Sequence, residues 1–484
     1  MNNPIRRLAL VIAVMFCSLL VASTWIQFVQ AGELRDKPGN RRTLLATYSR
    51  ERGQILVGNQ AVARSEKTDD EFAYQRSYPQ GSTYSHITGY QSFIYGTGGG
   101  LEHSADQLLT GDDPRLFFRR LGDLLTGRQP SGINLELTID PRAQKAAEEG
   151  LGDQRGAVVA LDPRTGAILA LVSHPEYDPN SLSGHDSAAV QKAWARLNAD
   201  KSRPLVNRAI GGDTYPPGSV FKVVTAAAAL ESKRFDENSR LPGPAKLRLP
   251  QTTIDLPNAG GGACDGGTVS FTRALAKSCN TAFGWLGMQL GAQSMRDQAT
   301  KFGFGQQLSI PMPVTPSRMP DQINAPQEAL TAIGQYDVRV TPLQVAMIAA
   351  GVANDGVVMQ PYLIRQTKGS DLQVMDQTTP RQLSRAVSGD TAKALTRMME
   401  SVVTEGTGTR AAIDGIPVAG KSGTAEHGEG TDPHAWFMSF APANDPKIAV
   451  AVVVEDGGNA GSEAAGGRIS APIARDVMKA VIAP

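Results

Sequence analysis

From Leu8 to Val29 the chain carries no charged residue and is mostly apolar. That is about the 20 residues a helix needs to cross a bilayer. Nothing else in the sequence limits the architecture so strongly, because a span of this kind puts everything after it on one side of a membrane. Arg6 and Arg7 precede the run, which orients the N-terminus to the cytoplasm and exports the rest. A cleaved signal peptide is the rival, since Val29-Gln30-Ala31 resembles a cleavage site. The run is long for a signal h-region, so an uncleaved anchor is expected: a cytoplasmic tail at 1–7 and a single transmembrane helix at 8–30. Cys17 follows bulky Met15 and Phe16, which argues against a lipidated cysteine.

The exported part must fold by itself. A chain of 484 residues is too long for one core, so two or more domains are expected. The 48 basic residues nearly cancel 47 acidic ones, so no nucleic-acid surface is expected. With Cys17 in the anchor, Cys264 and Cys279 are the exported pair. The six histidines form no HExxH motif and no Cys/His cluster. His427 and His434 stand in a loop-like HGEGTDPH and read as surface residues. No metal and no other cofactor is expected.

Residues 31–130 are polar and glycine-rich, with few long periodic segments, and read as a small non-catalytic domain. GTGGG at 96–100 lacks the strand-then-helix context and the Gly-Lys-Ser/Thr ending of a phosphate loop, so it reads as a turn. A linker is expected at 131–154, with a strand in LELTID (135–140) and a helix from Pro141. From 155 the pattern changes. GAVVALD-PRTG-AILALVS is a hairpin at 156–173, and SFTRALAKSCNTAFGWLGMQLG (270–291) reads as two helices broken at SCN. Helices follow at 341–355 and 388–403. Three strand-like runs lie at 416–426, 435–442 and 447–456, and a closing helix at 471–482. Strands at both ends with helices between give an α+β domain at 155–484, one antiparallel sheet packed with helices.

Three polar motifs stand out from this frame. In YPPGSVFK (215–222) the prolines stop any arriving helix, and an alanine-rich helix follows. Ser219 therefore sits at a helix start, where orphan N–H groups favour negative charge. Lys222, three residues on, shares its face. A serine hydroxyl is a poor nucleophile until a neighbour takes its proton, and a lysine with a lowered pKa can do so. Alone, the pattern is more often a capping serine followed by a surface lysine. Ser278-Cys279-Asn280 lies at the break between two helices, where serine and amide can point into one cleft; alone it would be an ordinary cap. Lys421-Ser422-Gly423-Thr424 lies in a strand, where a Lys-Ser pair is usually a solvated face and the glycine admits another backbone.

Together, S-x-x-K, S-x-N and K-S-G in that order resemble the penicillin-recognising active-site serine enzymes. Ser422 stands where threonine is usual; the hydroxyl is kept and only a methyl is lost. The resemblance extends to GAVVALDPRTGAILALVSHPEYDPN (156–180), NRAIGGDTYPPGSVFK (207–222), AIGQYDVRVTPLQVA (332–346) and HAWFMSFAP (434–442). These look like class B penicillin-binding proteins. NRR (40–42), RGQI (52–55), RSYPQGSTYSHITGY (76–90) and GLE (100–102) look like that class's N-terminal pedestal domain. The short N-terminal domain is closest to the actinobacterial penicillin-binding protein A type and leaves no room for a glycosyltransferase domain.

The resemblance implies a D,D-transpeptidase acting on peptidoglycan stem peptides and inhibited by β-lactams. Ser219 would be acylated, Lys222 would take its proton, and Ser278 would relay a proton to the leaving D-Ala beside a charged Lys421. Asn280 would bind the donor amide. Ser422, Gly423 and Thr424 would line the site, with the two hydroxyls on the terminal carboxylate. The N–H groups of Ser219 and Thr424 would form the oxyanion hole. A polytopic membrane glycosyltransferase and a division or elongation complex are the implied partners. The rivals are a hydrolase (D,D-carboxypeptidase or anchored β-lactamase) and a non-catalytic β-lactam sensor or division scaffold. A Cys264–Cys279 disulfide is also expected, since both lie in a compartment where thiols oxidise; two free thiols are the alternative.

Overall fold

The structure is a computed structural model, and it describes residues 3–30, 45, 48–114, 132–428, 430–463 and 465–482. The NRR motif at 40–42 lies outside the described residues. Helix α1 (Asn3–Thr24) continues through a wider turn to Val29. The two together are long and apolar enough to cross a membrane, and none of α1 is buried against the rest of the chain. The helix begins ahead of the arginines rather than at Leu8.

The N-terminal domain is built on strands β1 (Ile55–Val57), β2 (Gln60–Lys67) and β3 (Tyr74–Ser77), joined by β4 (Asn134–Leu137), which pairs parallel to β1. Its buried charges have a structural task. Glu102 is fully buried and takes Arg52 Nε at 2.6 Å and Arg76 Nε at 2.7 Å, with the Tyr78 hydroxyl donating to it at 3.3 Å. Thus RGQI, RSYP and GLE meet in one buried ionic cluster, and the two arginines hold the Glu102 carboxyl below its ordinary range against the opposing pull of burial. GTGGG is more than a turn: Gly96–Gly98 pairs with Tyr90–Ser92, and a short helix starts at Gly100.

The stretch expected as a linker is occupied by β4 and by helix α2 (Pro141–Leu151), whose cap Asp140 accepts from the Arg142 and Ala143 N–H groups. The hairpin follows as β5 (Gly156–Leu161) and β6 (Ile168–His174). Then come α3 (Lys222–Glu231), α4 (Phe271–Ala276), α5 (Asn280–Lys301, kinked at Gly291) and α6 (Pro342–Ala353). Strands β7 (Ile364–Lys368) and β8 (Val374–Gln377) leave this domain and extend the N-terminal sheet beyond β4, giving the order β8-β7-β4-β1-β2-β3. Helix α7 (Gly389–Thr404) precedes β9 (Ala419–Ala425), β10 (His434–Ala441) and β11 (Ile448–Val454), and α8 (Gly466–Ile482) closes the chain.

The central sheet is antiparallel throughout, in the order β9-β10-β11-β5-β6. Its β11, IAVAVVV, is apolar at every position because both faces are covered. Ala449, Ala451 and Val453 join a core with α6, while Val450, Val452 and Val454 join one with α2 and α8. An uninterrupted apolar strand is what two-sided burial demands. Helix α8 starts earlier than the expected 471 because Gly466 and Gly467 can lie against the backbone. A Cβ at either would sit 1.8 Å from the Trp436 or Thr407 carbonyl oxygen. Strand β9 is left at the sheet edge, facing the helices, and there the three motifs meet.

Candidate active site

Ser219 is placed by its approach. Tyr215 and Val340 exchange two backbone hydrogen bonds, Trp436 Nε1 donates to the Pro216 carbonyl at 3.1 Å, and the Gly218 N–H donates to the Gly334 carbonyl at 2.9 Å. Gly218 has φ +54°, and a Cβ there would lie 2.4 Å from the Thr424 carbonyl oxygen. Only glycine lets this loop press on β9 in that conformation. Residues 218–221 form a 3₁₀ turn that leads into α3 at Lys222. In such a turn side chains three apart eclipse, so Ser219 and Lys222 share one side, as their spacing predicts.

Lys222 is completely buried. Its Nζ lies 2.8 Å from the Ser278 carbonyl, 2.7 Å from Asn280 Oδ1 and 3.2 Å from Ser278 Oγ. The Ser219 hydroxyl is not among these partners; such bonds are often loose before substrate arrives. Lys421, also fully buried, donates to Ser278 Oγ at 3.0 Å and to the Ser422 carbonyl at 2.7 Å. Ser278 thus sits between two lysines. It has φ +58° at the break between α4 and α5, a conformation that costs a non-glycine residue free energy and recurs at functional sites.

Burial pushes the Lys222 amine well below its ordinary pKa, and the like charge of Lys421 adds to this. Desolvation is the larger of the two causes. Burial also brings Lys421 down to about 7. A neutral amine has two N–H bonds and one lone pair. At Lys222 the two N–H bonds match the two carbonyl oxygens, which leaves the lone pair for a hydroxyl proton.

Strand alternation puts Lys421 and Gly423 on the face covered by helices, with Ser422 and Thr424 on the opposite side of the edge strand. Ser422 is buried and Thr424 exposed. Gly423 admits the Ser219 loop: a Cβ there would meet the Pro217 carbonyl and Val220, each at 3.1 Å. Asn280 is held at both ends, by Lys222 and by Nδ2 donating to the Pro257 carbonyl at 3.2 Å.

Cys264 and Cys279 are bridged, with Cα atoms 6.3 Å apart. The bridge ties the Ser278 bend to the glycine-rich loop before it, across 15 positions of sequence. The entropic model assigns such a loop about 3 kcal/mol. Cys264→Ser is expected to lower the urea unfolding midpoint accordingly and to slow acylation, measured on the same sample. An unchanged midpoint would mean that the bridge contributes nothing.

Sequence reading missed three features. Thr407 Oγ1 is 2.6 Å from Ser422 Oγ. Glu455, buried at the end of β11, takes the Tyr215 hydroxyl at 2.6 Å, Arg208 at 2.8 Å and Arg155 at 2.6 Å, so it anchors the segment before Ser219. The only signal for it was an acid ending an apolar strand. His434 is not a surface residue: it opens β10, is buried, and its ring stacks on His427 at 3.8 Å. Its Nδ1 accepts the Asp456 N–H at 3.1 Å, and His427 Nε2 is 3.0 Å from Asp456 Oδ1. The ligand-type atoms of His427, His434 and Asp456 lie within 4.8 Å of one another, and the three residues form a hydrogen-bonded cluster.

The family profile for the penicillin-binding protein transpeptidase domain matches residues 156–479. The chain belongs to the penicillin-binding transpeptidases. A second profile, the penicillin-binding protein A dimerisation domain, matches residues 52–135. This penicillin-binding protein is 46% identical to the peptidoglycan D,D-transpeptidase PbpA of Mycolicibacterium smegmatis, over 100% of this chain and 99% of the relative. It is 44% identical to PbpA of Mycobacterium tuberculosis with the same coverage. Among solved structures, the ceftriaxone acyl-enzyme complex of penicillin-binding protein A from M. tuberculosis superposes with a TM-score of 0.86. It covers 90% of this chain and 100% of that one at 44% identity. The full-length match places the penicillin-binding protein in class B.

Proposed function

We propose that the protein is a membrane-anchored serine D,D-transpeptidase that cross-links peptidoglycan stem peptides. The observation that carries this is the buried Lys222 amine, its pKa lowered by burial and by Lys421, in a hydrogen-bonded cluster with Ser278, Asn280 and Lys421. Ser219 Oγ attacks the carbonyl of the penultimate D-Ala while its proton passes to the Lys222 lone pair. The N–H groups of Ser219 and Thr424 hold the oxyanion, where each donor is worth roughly 3 kcal/mol. Collapse breaks the bond to the terminal D-Ala. Ser278, fed by Lys421, supplies the proton that the leaving amine needs. Asn280 binds the donor amide. Ser422 and Thr424 hold the terminal carboxylate, whose negative charge raises the pKa of nearby Lys421 and keeps it charged. An amine from a second stem then attacks the ester and frees Ser219.

Arg6 and Arg7 in the N-terminal turns of α1, ahead of its uncharged run, and the disulfide beyond it, support an N-terminus in the cytoplasm and a catalytic domain outside. As the class B resemblance implies, the anchored transpeptidase works beside a polytopic membrane glycosyltransferase, in a division or elongation complex.

The fate of the acyl group tests the reading. Full-length protein given a stem pentapeptide and an acceptor amine is expected to form the cross-linked dimer by mass spectrometry. Tetrapeptide alone would indicate a hydrolase, and no turnover with no penicillin adduct would indicate a scaffold.

A further inference from the structure

Thr407 lies in the loop after α7, outside the three motifs, yet its hydroxyl is 2.6 Å from that of Ser422. The loop has little freedom. The Thr407 N–H donates to the Ala276 carbonyl at 3.1 Å, two residues before Ser278, and the Gly408 N–H donates to the Val402 carbonyl at 2.9 Å. From below, Gly467 of α8 packs so closely that a Cβ there would lie 1.8 Å from the Thr407 carbonyl oxygen. The Thr407 hydroxyl is thereby fixed against Ser422, with the Ala276 carbonyl at 3.5 Å as a longer alternative acceptor.

We propose that Thr407 is a positioning residue for recognition of the ligand's terminal carboxylate, acting through Ser422. It rests on the reading of Ser422 as a carboxylate-binding residue. Two hydroxyls in contact hold two protons, and only one can lie between them. When a carboxylate stands beyond Ser422, the favourable arrangement has Thr407 donating to Ser422 Oγ and Ser422 donating to the carboxylate. A chain of this kind polarises each bond along it. The identity of residue 422 makes the contact matter more. Threonine's second Cβ substituent restricts χ1, whereas serine has three open wells. A serine here needs an external partner to hold its hydroxyl toward the ligand, and Thr407 is that partner.

The test compares acylation of the full-length protein by benzylpenicillin and by its methyl ester, as second-order rates from intact mass. Thr407→Val is expected to slow benzylpenicillin roughly ten-fold, the scale of one hydrogen bond to a charged group, and to leave the ester within about two-fold. Thr407→Ser should restore the benzylpenicillin rate. If Thr407→Val slows both compounds equally, or neither, or if Thr407→Ser fails to restore the rate, the proposal is overturned. An equal loss would mean that Thr407 only holds the Ser278 bend through Ala276. Ser422→Ala separates the two readings. If it too fails to distinguish acid from ester, the carboxylate role of Ser422 is wrong. If it distinguishes them and Thr407→Val does not, only the Thr407 proposal falls.

Discussion

Ser219→Ala is expected to abolish covalent labelling by fluorescent penicillin while leaving the unfolding midpoint within about 1 kcal/mol of wild type. The substitution deletes one half-buried oxygen from a 3₁₀ turn held by other groups: the Gly218 N–H on Gly334, the Trp436 indole on Pro216, and the close contact of Gly218 with Thr424. None of these uses the Ser219 side chain, so the loop keeps its shape. What disappears is the atom that forms the ester. The Ser278 hydroxyl lies between the two lysines and is the obvious substitute nucleophile, so the experiment has a real alternative outcome. Intact mass after penicillin gives the stoichiometry, and peptide mapping gives the site. Full labelling of Ser219→Ala, or an adduct on Ser278, would reject Ser219 as the nucleophile.

What sequence could and could not show follows from the range of the interactions. The Ser278 bend was legible because its cause is local: a helix ends, a polar tripeptide follows, and a helix begins. The central strands were legible because two-sided burial leaves an uninterrupted apolar run. Pairing of β7 with β4 joins residues more than two hundred positions apart, Ile364 with Leu137 for one, and nothing local in either strand names its partner. The strand and helix expected within the linker at 131–154 are β4 and α2, but nothing in their pattern shows that they belong to different packed layers. Thr407 sits in an unremarkable GTG, and its role depends on where a helix 60 residues downstream begins. His434 was misplaced because TDPH reads as loop, whereas the strand takes in its last residue and buries it against Tyr215 at a 5.4 Å ring separation. The sequence offers Lys421 as a like-charged neighbour of Lys222 but does not show that Lys222 is completely enclosed.

That enclosure leads to the second large effect. Lys222→Arg is expected to lower the acylation rate by 10²–10⁴, the usual contribution of a positioned base. A guanidinium stays protonated at any working pH and has no lone pair to offer. Because arginine is also larger than the space it enters, Lys222→Met serves as the companion variant. It has similar length and adds no charge to a fully buried site; it takes the Lys222 donor from the Ser278 carbonyl and Asn280 Oδ1, so some loss of stability is expected and the urea midpoint shows that it is folded. Loss of acylation in both variants, with Lys222→Met folded, assigns the loss to the missing base. In the wild-type protein the same argument fixes the sign of the pH dependence. Both lysines have depressed pKa values, so each is neutral above its own value and becomes charged as pH falls through it. The base is Lys222, so it is lost on the acid side, and the benzylpenicillin acylation rate should fall as pH is lowered through the depressed Lys222 pKa. Lys421 lies below its ordinary value in the same direction, at about 7, and the pair titrates as a coupled unit rather than as two independent groups. The ligand's carboxylate does not obscure the limb, since groups of that kind are ionised throughout the range from about pH 5 to pH 9. A rate that is flat across that range would mean that no buried amine accepts the proton, and retained acylation in a folded Lys222→Met would exclude Lys222 itself.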